Sequence, residues 1–437
     1  MKNRYFIKAY GCQMNLYEAG VVSAIMDQAG FEQTESETDA DIIYLITCSV
    51  RNHAEQRALG RFNYFKGMKK DKPGLIIGIL GCMAQSYKDK LNTEHGADIV
   101  AGPDQYRILP ELINTFQQTQ IPQNATSFSC ENYEGIMPRN KSKTTGFISI
   151  MRGCNNYCTY CIVPYVRGRE RSKSLDQIIK EAEILVQSGV QDITLVGQNV
   201  LAWRQDNLDF LDLIKAVDKL DGYTRLRFIT SHPKDLTQRH IQTFASLKKF
   251  CAHIHLPIQS GSDRILQLMN RGYTCAEYIE KVETARKIIP ELSFTTDILV
   301  GFPSETEADF QKTIWVIKQL QFDFAYMFRY SERPYTKSRD LNDKVPEQTR
   351  RQRLTDLIQT QNQITARKSS ELLGRQMQVL VESKNGTQAY ARTRTNKIVI
   401  IKEPVKTGQT YLCQIDKIVG WTPIGKILET IKQEEVL

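Results

Sequence analysis

A chain of 437 residues that is 41% hydrophobic and 24% charged reads as an ordinary folded protein of about two to four domains, which excludes disordered and fibrous classes. No apolar run is long enough to span a bilayer, and Met1-Lys-Asn-Arg-Tyr-Phe-Ile-Lys8 lacks the apolar stretch of a signal peptide, so a cytoplasmic protein without a membrane role is expected. Net charge is +9, a moderate value, but residues 375–432 carry ten Lys and Arg against four Asp and Glu, a compact basic end suited to a polyanion.

The first region runs to about residue 120. Two apolar, β-branched runs, Asp41–Thr47 and Leu75–Leu80, alternate with helical segments Glu18–Gln28 and Ala54–Lys69. Continuous apolar strands between helices predict a doubly wound parallel sheet. Cys12, Cys48 and Cys82 each fall at the end of a strand run. In such a sheet adjacent strand ends lie side by side, which would bring the three thiols together. Taken singly, each also reads as a small buried hydrophobe. Ile121 to Thr145, rich in Asn, Ser, Thr and Lys, reads as a linker.

Residues 146–372 repeat strand then helix. Strands are predicted at Phe147–Met151, Asp192–Val196, Arg225–Ile229, Ala252–Leu256, Ser293–Leu299 and Phe322–Met327. A helix over Ser174–Ser188 has a capping-box pattern, Ser174 with Gln177, and a stop at Gly189; Ser304 with Glu307 repeats the pattern before Phe310–Leu320. About six βα units imply an open, partial α/β barrel with its reactive groups at the carboxyl ends of the strands. A polar helix, Glu347–Leu373, with a stripe of Leu354, Leu357, Ile358 and Ile364, leads to residues 373–437. There, short β runs and an Asn385-Gly386 hairpin signal predict a small all-β barrel.

Of the ten cysteines, three occupy one loop after the strand Phe147–Met151: Gly153-Cys-Asn-Asn-Tyr-Cys-Thr-Tyr-Cys161. In a chain of this class cysteines point to metal or redox chemistry before disulfides. Zinc would want a fourth Cys or His, commonly in a second C-x2-C pair; none follows, and the next histidine is His232. Three close thiolates at Cys154, Cys158 and Cys161 instead suit three corners of a 4Fe–4S cluster, leaving one iron open to a small molecule. Cys130, Cys251, Cys275 and Cys413 fall in no motif.

The C-x3-C-x2-C loop resembles that of the radical S-adenosylmethionine superfamily. Gly11-Cys-Gln-Met-Asn15, Thr47-Cys-Ser-Val-Arg51 and Gly81-Cys-Met-Ala-Gln85 are similar to the three ligand motifs of the methylthiotransferases, and Met151–Arg171 resembles the tRNA branch of that group, the MiaB family. The likeness continues through Gly197-Gln-Asn199, Thr230-Ser-His-Pro-Lys234, His255–Gly261, Met269–Tyr273 and Thr296–Pro303. It ends in a region similar to the TRAM domain, a small RNA-binding β-barrel. One departure is Tyr335, in Arg333-Pro-Tyr-Thr336, where the family usually has glycine; a local change of the turn is expected there.

The resemblance implies two 4Fe–4S clusters, an auxiliary one on Cys12, Cys48 and Cys82 and a radical-generating one on Cys154, Cys158 and Cys161. It implies S-adenosylmethionine chelated by the open iron of the second, with Tyr160 near its adenine. Asn199, Ser231, Gln259 and Arg271 are the candidate contacts to S-adenosylmethionine, with strand-end packing as the alternative; Gln198 and Asp297 are weaker candidates. Arg167, Arg169 and Arg171 read either as a solvated loop or as contacts to RNA phosphate. Tyr390, Tyr411 and Trp421 read as core before base-stacking platforms.

The implied reaction is methylthiolation at C2 of an adenosine that already carries an N6-isopentenyl (dimethylallyl) group, at position 37 of tRNA. The C2–H is not acidic, so a carbon radical must remove that hydrogen atom and a second centre must deliver sulfur. One S-adenosylmethionine would methylate the sulfur and another would make the radical. The partners implied are the anticodon stem-loop of tRNA, a reducing electron donor and a sulfur donor, with a monomer as the default state. Related enzymes that act on threonylcarbamoyladenosine in tRNA or on a ribosomal-protein aspartate are the alternatives within the class, and a non-catalytic iron–sulfur RNA-binding protein is the alternative outside it. Removal of residues 375–437 is expected to weaken tRNA binding and spare S-adenosylmethionine cleavage.

Overall fold

The structure is a computed structural model that describes residues 3–49 and 52–432, with the backbone alone for 52–54. Val50 and Arg51, the end of the second cysteine motif, lie outside the described residues. Six parallel strands form the first sheet, in the order Glu32–Gln33, Arg4–Ala9, Ile42–Thr47, Ile76–Gly81, Ile99–Ala101 and Gln123–Ala125. Every residue of the two central strands, Ile42–Thr47 and Ile76–Gly81, is buried. Helices on both faces cause this: one core gathers Val21, Met26 and Ile113, the other Phe62, Phe65 and Ile77. Continuous apolar runs are what a sheet covered on both sides requires. Gly78 interrupts one run because a Cβ there would come 2.6 Å from the Tyr44 ring.

Residues 121–145 are more than a tether. Gln123–Ala125 pairs in parallel with Ile99–Ala101 as the edge strand. Tyr133 is buried, stacks on Tyr106 with ring centroids 5.5 Å apart, and donates its hydroxyl to the Pro103 carbonyl at 2.7 Å. Three polar and small residues at a sheet edge carry no hydrophobic period, so this strand left no signal.

The middle of the chain holds two three-stranded parallel sheets, Thr145–Ser149, Asp192–Val196 and Arg225–Phe228, then His253–His255, Ser293–Val300 and Phe324–Arg329. A parallel bridge between Leu226 and Phe250 links them into one open six-stranded run. The first strand ends at Ser149; Met151–Arg152 pairs instead with Arg171–Ser172 in an antiparallel ribbon at the base of the cysteine loop. Ser174 caps its helix by accepting from the Gln177 N–H at 3.4 Å. The Gln177 amide, however, donates to the Ile136 carbonyl and to Glu181, so no box closes. The cap expected at Ser304 sits two residues on: Thr306 and Asp309 form the box before Glu307–Leu320, and Ser304 lies outside it at φ +67°. In the helix Glu347–Ser370, Leu357 and Ile364 are buried but Ile358 is 37% exposed, one residue round from the stripe and about 100° away from Leu357.

The last region is a closed barrel of Gln376–Asn385, Gln388–Thr393, Ile398–Ile401, Thr422–Ile431 and Thr410–Val419, in that spatial order. Thr422–Ile431 was hidden by its Pro423, Gly425, Lys426 and Glu429. Gly425 is needed there, because a Cβ would collide with the buried Cys413 thiol. Tyr411 is buried, whereas Trp421, in the turn between two strands, is 48% exposed.

The barrel is docked firmly. Buried Arg225 donates to the carbonyls of Arg392 and Gln378, and Arg227 to those of Thr393 and Arg394 at 2.9 and 3.2 Å. Arg394 donates in return to Lys248 and Phe250, each at 3.0 Å. These groups lie at the amino-terminal ends of the middle strands, so the barrel seats on the face opposite the cysteine loop. Deleting residues 375–437 would therefore also strip the buried Arg225 guanidinium of both carbonyl acceptors and leave Arg227 with Asp192 alone. Arg394→Ala is the gentler probe. Losing its charged hydrogen bonds is expected to weaken docking by about 2 kcal/mol and to speed proteolysis within Glu347–Ser370; an unchanged cleavage rate would contradict the docking contacts. No helix among the described residues is long and apolar enough to cross a membrane.

Candidate active site

Cys12 follows the strand Arg4–Ala9 and caps the helix Gln13–Gln28. Cys48 follows Ile42–Thr47, and Cys82 opens a short helix directly after Ile76–Gly81. The three strands are neighbours, so the three cysteine thiols, none of them in a disulfide, gather at one edge. Two glycines make the approach possible. Gly11, at φ +114°, would place a Cβ 2.6 Å from Cys48 Cβ, and Gly81, at φ +90°, would place one 2.7 Å from the Thr47 carbonyl oxygen. A hydrogen bond with Cys48 pulls the Cys12 thiol down to about 6, with help from Arg167, against the upward push of burial. Burial pushes the Cys82 thiol up, and the Arg167 guanidinium opposes it.

Arg167 was expected in solvent or on RNA phosphate. It is 4% exposed instead. The short helix Val163–Arg167 turns it inward, where Nε donates to Cys82 Sγ at 3.1 Å and Nη1 to Glu18 at 2.7 Å. Glu18 is fully buried in the helix after Cys12, and also holds Arg152 at 3.0 Å and the Tyr106 hydroxyl at 3.2 Å. Arg171 pairs with Asp104 at 2.7 Å, and only Arg169 of the three is exposed. Sequence reading missed Glu18, Arg152 and Asp104; an acid set among the apolar and small residues of the helix Gln13–Gln28 was the available signal, because a buried charge demands a partner.

Burial alone would raise the Glu18 carboxyl, but Arg167 and Arg152 outweigh it and hold it below its ordinary 4.5. A carboxyl lowered on folding contributes stability that is complete above its unfolded value and lost as pH falls through the folded one. The melting temperature of the wild type is therefore expected to drop more steeply below pH 4.5 than that of Glu18→Gln. Parallel curves would contradict the assignment.

The second triad hangs between strand ends. The Gly153 N–H donates to Gln198 Oε1 at 2.6 Å, the Cys154 N–H to the Gly168 carbonyl at 3.2 Å, and the Cys161 N–H to the Cys158 carbonyl at 2.9 Å. Gly153, at φ +77°, has no room for a Cβ against the Arg169 carbonyl. Burial pushes the Cys154 thiol up to about 11 and raises Cys161 further. Arg271, buried, donates to Cys158 Sγ at 3.3 Å, to the Tyr160 hydroxyl at 3.5 Å and to the Pro257 carbonyl at 2.8 Å. Two of the predicted contact residues thus stand together beside one thiol. Each triad has one sulfur that accepts from a buried arginine.

The other three lie at carboxyl ends of strands but differ in what they offer. Asn199 donates to Asp235 at 2.7 Å and accepts from the His232 N–H at 3.1 Å; its amide is engaged in ordering two turns. Ser231 Oγ is buried with no hydrogen-bond partner among the described residues, as are His232 Nε2 and Asp297 Oδ1. Gln259 is buried at φ +70°, bridged to Ile298. Orphaned polar atoms at strand ends suit a polar ligand. Among the described residues no group of three or more His, Cys, Asp or Glu is drawn together as a site for a single metal ion. A cubane asks for something wider, since each thiolate holds an iron at a different corner, and three thiols outside any disulfide, with an arginine donor in each set, fit that group.

The radical S-adenosylmethionine superfamily model matches residues 148–314, and the model described as uncharacterized protein family UPF0004 matches residues 4–102. Two solved structures share the fold at 12% identity. The radical S-adenosylmethionine methyltransferase TsrM from Kitasatospora setae has a TM-score of 0.59, covering 88% of this chain and 79% of that one. The cobalamin-dependent radical enzyme OxsB has a TM-score of 0.55, covering 82% and 56%. Fold and site thus define a radical S-adenosylmethionine protein, which implies a 4Fe–4S cluster and S-adenosylmethionine. Sequence relatives narrow this. A tRNA-2-methylthio-N6-dimethylallyladenosine synthase of Azobacteroides pseudotrichonymphae is 44% identical over 97% of this chain and 96% of its own, and those of Bacteroides thetaiotaomicron and Porphyromonas gingivalis W83 are 42% and 39% identical over 91% and 99% of this chain and 90% and 96% of their own. The chain belongs to the tRNA-2-methylthio-N6-dimethylallyladenosine synthase family.

Proposed function

We propose that this protein transfers a methylthio group to C2 of N6-isopentenyladenosine 37 in tRNA, using one S-adenosylmethionine as methyl donor and one as radical source. The observation that carries the reading is the pair of separate cysteine triads, one at each sheet's carboxyl edge, tied together through Arg167. In this reading Cys154, Cys158 and Cys161 hold one 4Fe–4S cluster and Cys12, Cys48 and Cys82 hold a second. When bound, the first with S-adenosylmethionine supplies a 5′-deoxyadenosyl radical and the second supplies sulfur. The chain's own groups bind and orient. Arg167 and Arg271 donate to thiolates Cys82 and Cys158, Tyr160 flanks the adenine, and the free Ser231 Oγ and Asp297 Oδ1 offer polar contacts to S-adenosylmethionine. Asn199 and Gln259 hold the turns that carry these groups, Asn199 by accepting from the His232 N–H and Gln259 by donating its N–H to the Asp297 carbonyl. No side chain needs to act as general base, because a hydrogen atom and not a proton leaves C2.

The names of the relatives favour the isopentenyladenosine reading over threonylcarbamoyladenosine or a protein aspartate. Six cysteines in two sets, none in a disulfide, favour an enzyme over an inert iron–sulfur RNA-binding module. Formation of 5′-deoxyadenosine by the reduced protein separates those two, and nucleoside mass analysis of tRNA from a strain lacking the protein identifies the substrate. Accumulation of N6-isopentenyladenosine without its 2-methylthio derivative is the expected result; an unchanged nucleoside profile would refute it.

A further inference from the structure

Three tyrosines, two of them exposed and one half-buried, form a ladder between the two triads. Tyr157 lies inside the second cysteine loop and is 38% exposed; Tyr335 is 54% exposed. Tyr165 joins them, edge-on to Tyr157 with centroids 6.2 Å apart and stacked on Tyr335 at 6.3 Å with 30° between planes. Tyr157 and Tyr335 both sit at positive φ, +45° and +66°, where a bulky side chain is strained and where such strain marks functional positions. The ladder's setting is held from both sides. The Ser338 N–H donates to the Thr159 carbonyl at 2.9 Å, and Arg333 pairs with Glu55 at 2.8 Å. Beside Tyr335 opens a cavity of about 560 Å³ whose lining includes Lys88, Lys90 and Arg339 against one acid, Asp89. Both lysines follow the helix that Cys82 opens.

A stacked, solvent-facing ring next to a cationic hollow is the arrangement that holds single-stranded nucleic acid, with the base on the ring and phosphate among the cations. An acidic protein would use the cations but would leave the rings without a planar partner. We propose that Tyr335, with Tyr165 and Tyr157 behind it, stacks the nucleotide next to the modified adenosine, and that Lys88, Lys90 and Arg339 hold its phosphates. The proposal rests on the tRNA reading above and assigns that RNA a subsite at the mouth between the triads, remote from the basic barrel.

The test measures binding of a stem-loop RNA carrying N6-isopentenyladenosine to the full-length protein across a salt series, with 5′-deoxyadenosine formation in the absence of RNA as a control. Tyr335→Gly suits the positive φ and removes only the ring. It should weaken binding about tenfold, the effect of losing one stacked base, with the salt slope unchanged. Lys88→Ser with Lys90→Ser should weaken binding and lower the slope by about 1.4, two single-strand phosphate contacts. Tyr335→Gly binding within twofold of wild type, or an unaltered slope in the lysine variant, overturns the subsite. Wild-type protein that fails to bind the stem-loop overturns the tRNA reading with it.

Discussion

Cys48→Ala is expected to halve the iron content, abolish methylthiolation and leave S-adenosylmethionine cleavage in place. The reasoning is geometric. Cys48 stands between Cys12 and Cys82 at the edge of the first sheet, since its strand pairs with both of theirs. Its loss leaves two thiols for a cluster that needs three from the protein. The 154–161 loop is built from other strands and keeps all three of its cysteines. Iron and acid-labile sulfide analysis alongside 5′-deoxyadenosine formation checks the result. Full iron loading of the variant would remove Cys48 from the ligand set, and loss of S-adenosylmethionine cleavage would mean that the triads are not separate. The small cavity left by removing one sulfur gives no reason for the fold to fail, because Cys48 borders the thiol edge and not the centre of either core.

The second large effect is expected at Arg167. Arg167→Met removes one of the two guanidiniums that hold fully buried Glu18 and the only arginine donor found on Cys82 among the described residues. Breaking a buried ion pair from one side costs about 3–5 kcal/mol, so a marked fall in melting temperature is expected. Combining it with Glu18→Gln should recover part of that loss, because the two groups are coupled. Arg167→Lys separates charge from geometry. A lysine can pair with Glu18 but cannot fork to Cys82 as well. Arg167→Lys should therefore fold and cleave S-adenosylmethionine, yet show an altered electron paramagnetic resonance signal from the iron bound to the first triad. A wild-type signal in that variant would make Arg167 purely structural.

The parts of the fold that sequence exposed are those with a strong hydrophobic period. Ile42–Thr47 and Ile76–Gly81 are apolar throughout because both faces are covered, and with Arg4–Ala9 they carried the cysteines to one edge. Asp192–Val196 was bounded correctly for the same reason: every one of its residues is buried. What stayed hidden was short, polar or decided by tertiary partners. Gln123–Ala125 has no pattern to read, and the barrel strand Thr422–Ile431 is interrupted by residues that its tight packing against Cys413 requires. The direction of Arg167 could not be read from a run of three arginines, since only the approach of the Glu18 helix fixes which of them turns inward. Asn199 was placed at the right strand end, but its amide serves Asp235 and His232, an arrangement set by a turn far along the chain. Tyr335 breaks the family pattern in a short turn, and its meaning comes from Tyr165 and Lys88, distant in sequence and adjacent in space.

The most direct measurement is the mass of the RNA product. Reconstituted, reduced protein is incubated with S-adenosylmethionine and two stem-loops, one with N6-isopentenyladenosine and one with plain adenosine beside the anticodon. The account predicts that the isopentenylated RNA alone gains one methylthio group in place of one hydrogen, with methionine, 5′-deoxyadenosine and S-adenosylhomocysteine all formed. Formation of 5′-deoxyadenosine with neither RNA modified, or equal modification of both, would contradict it.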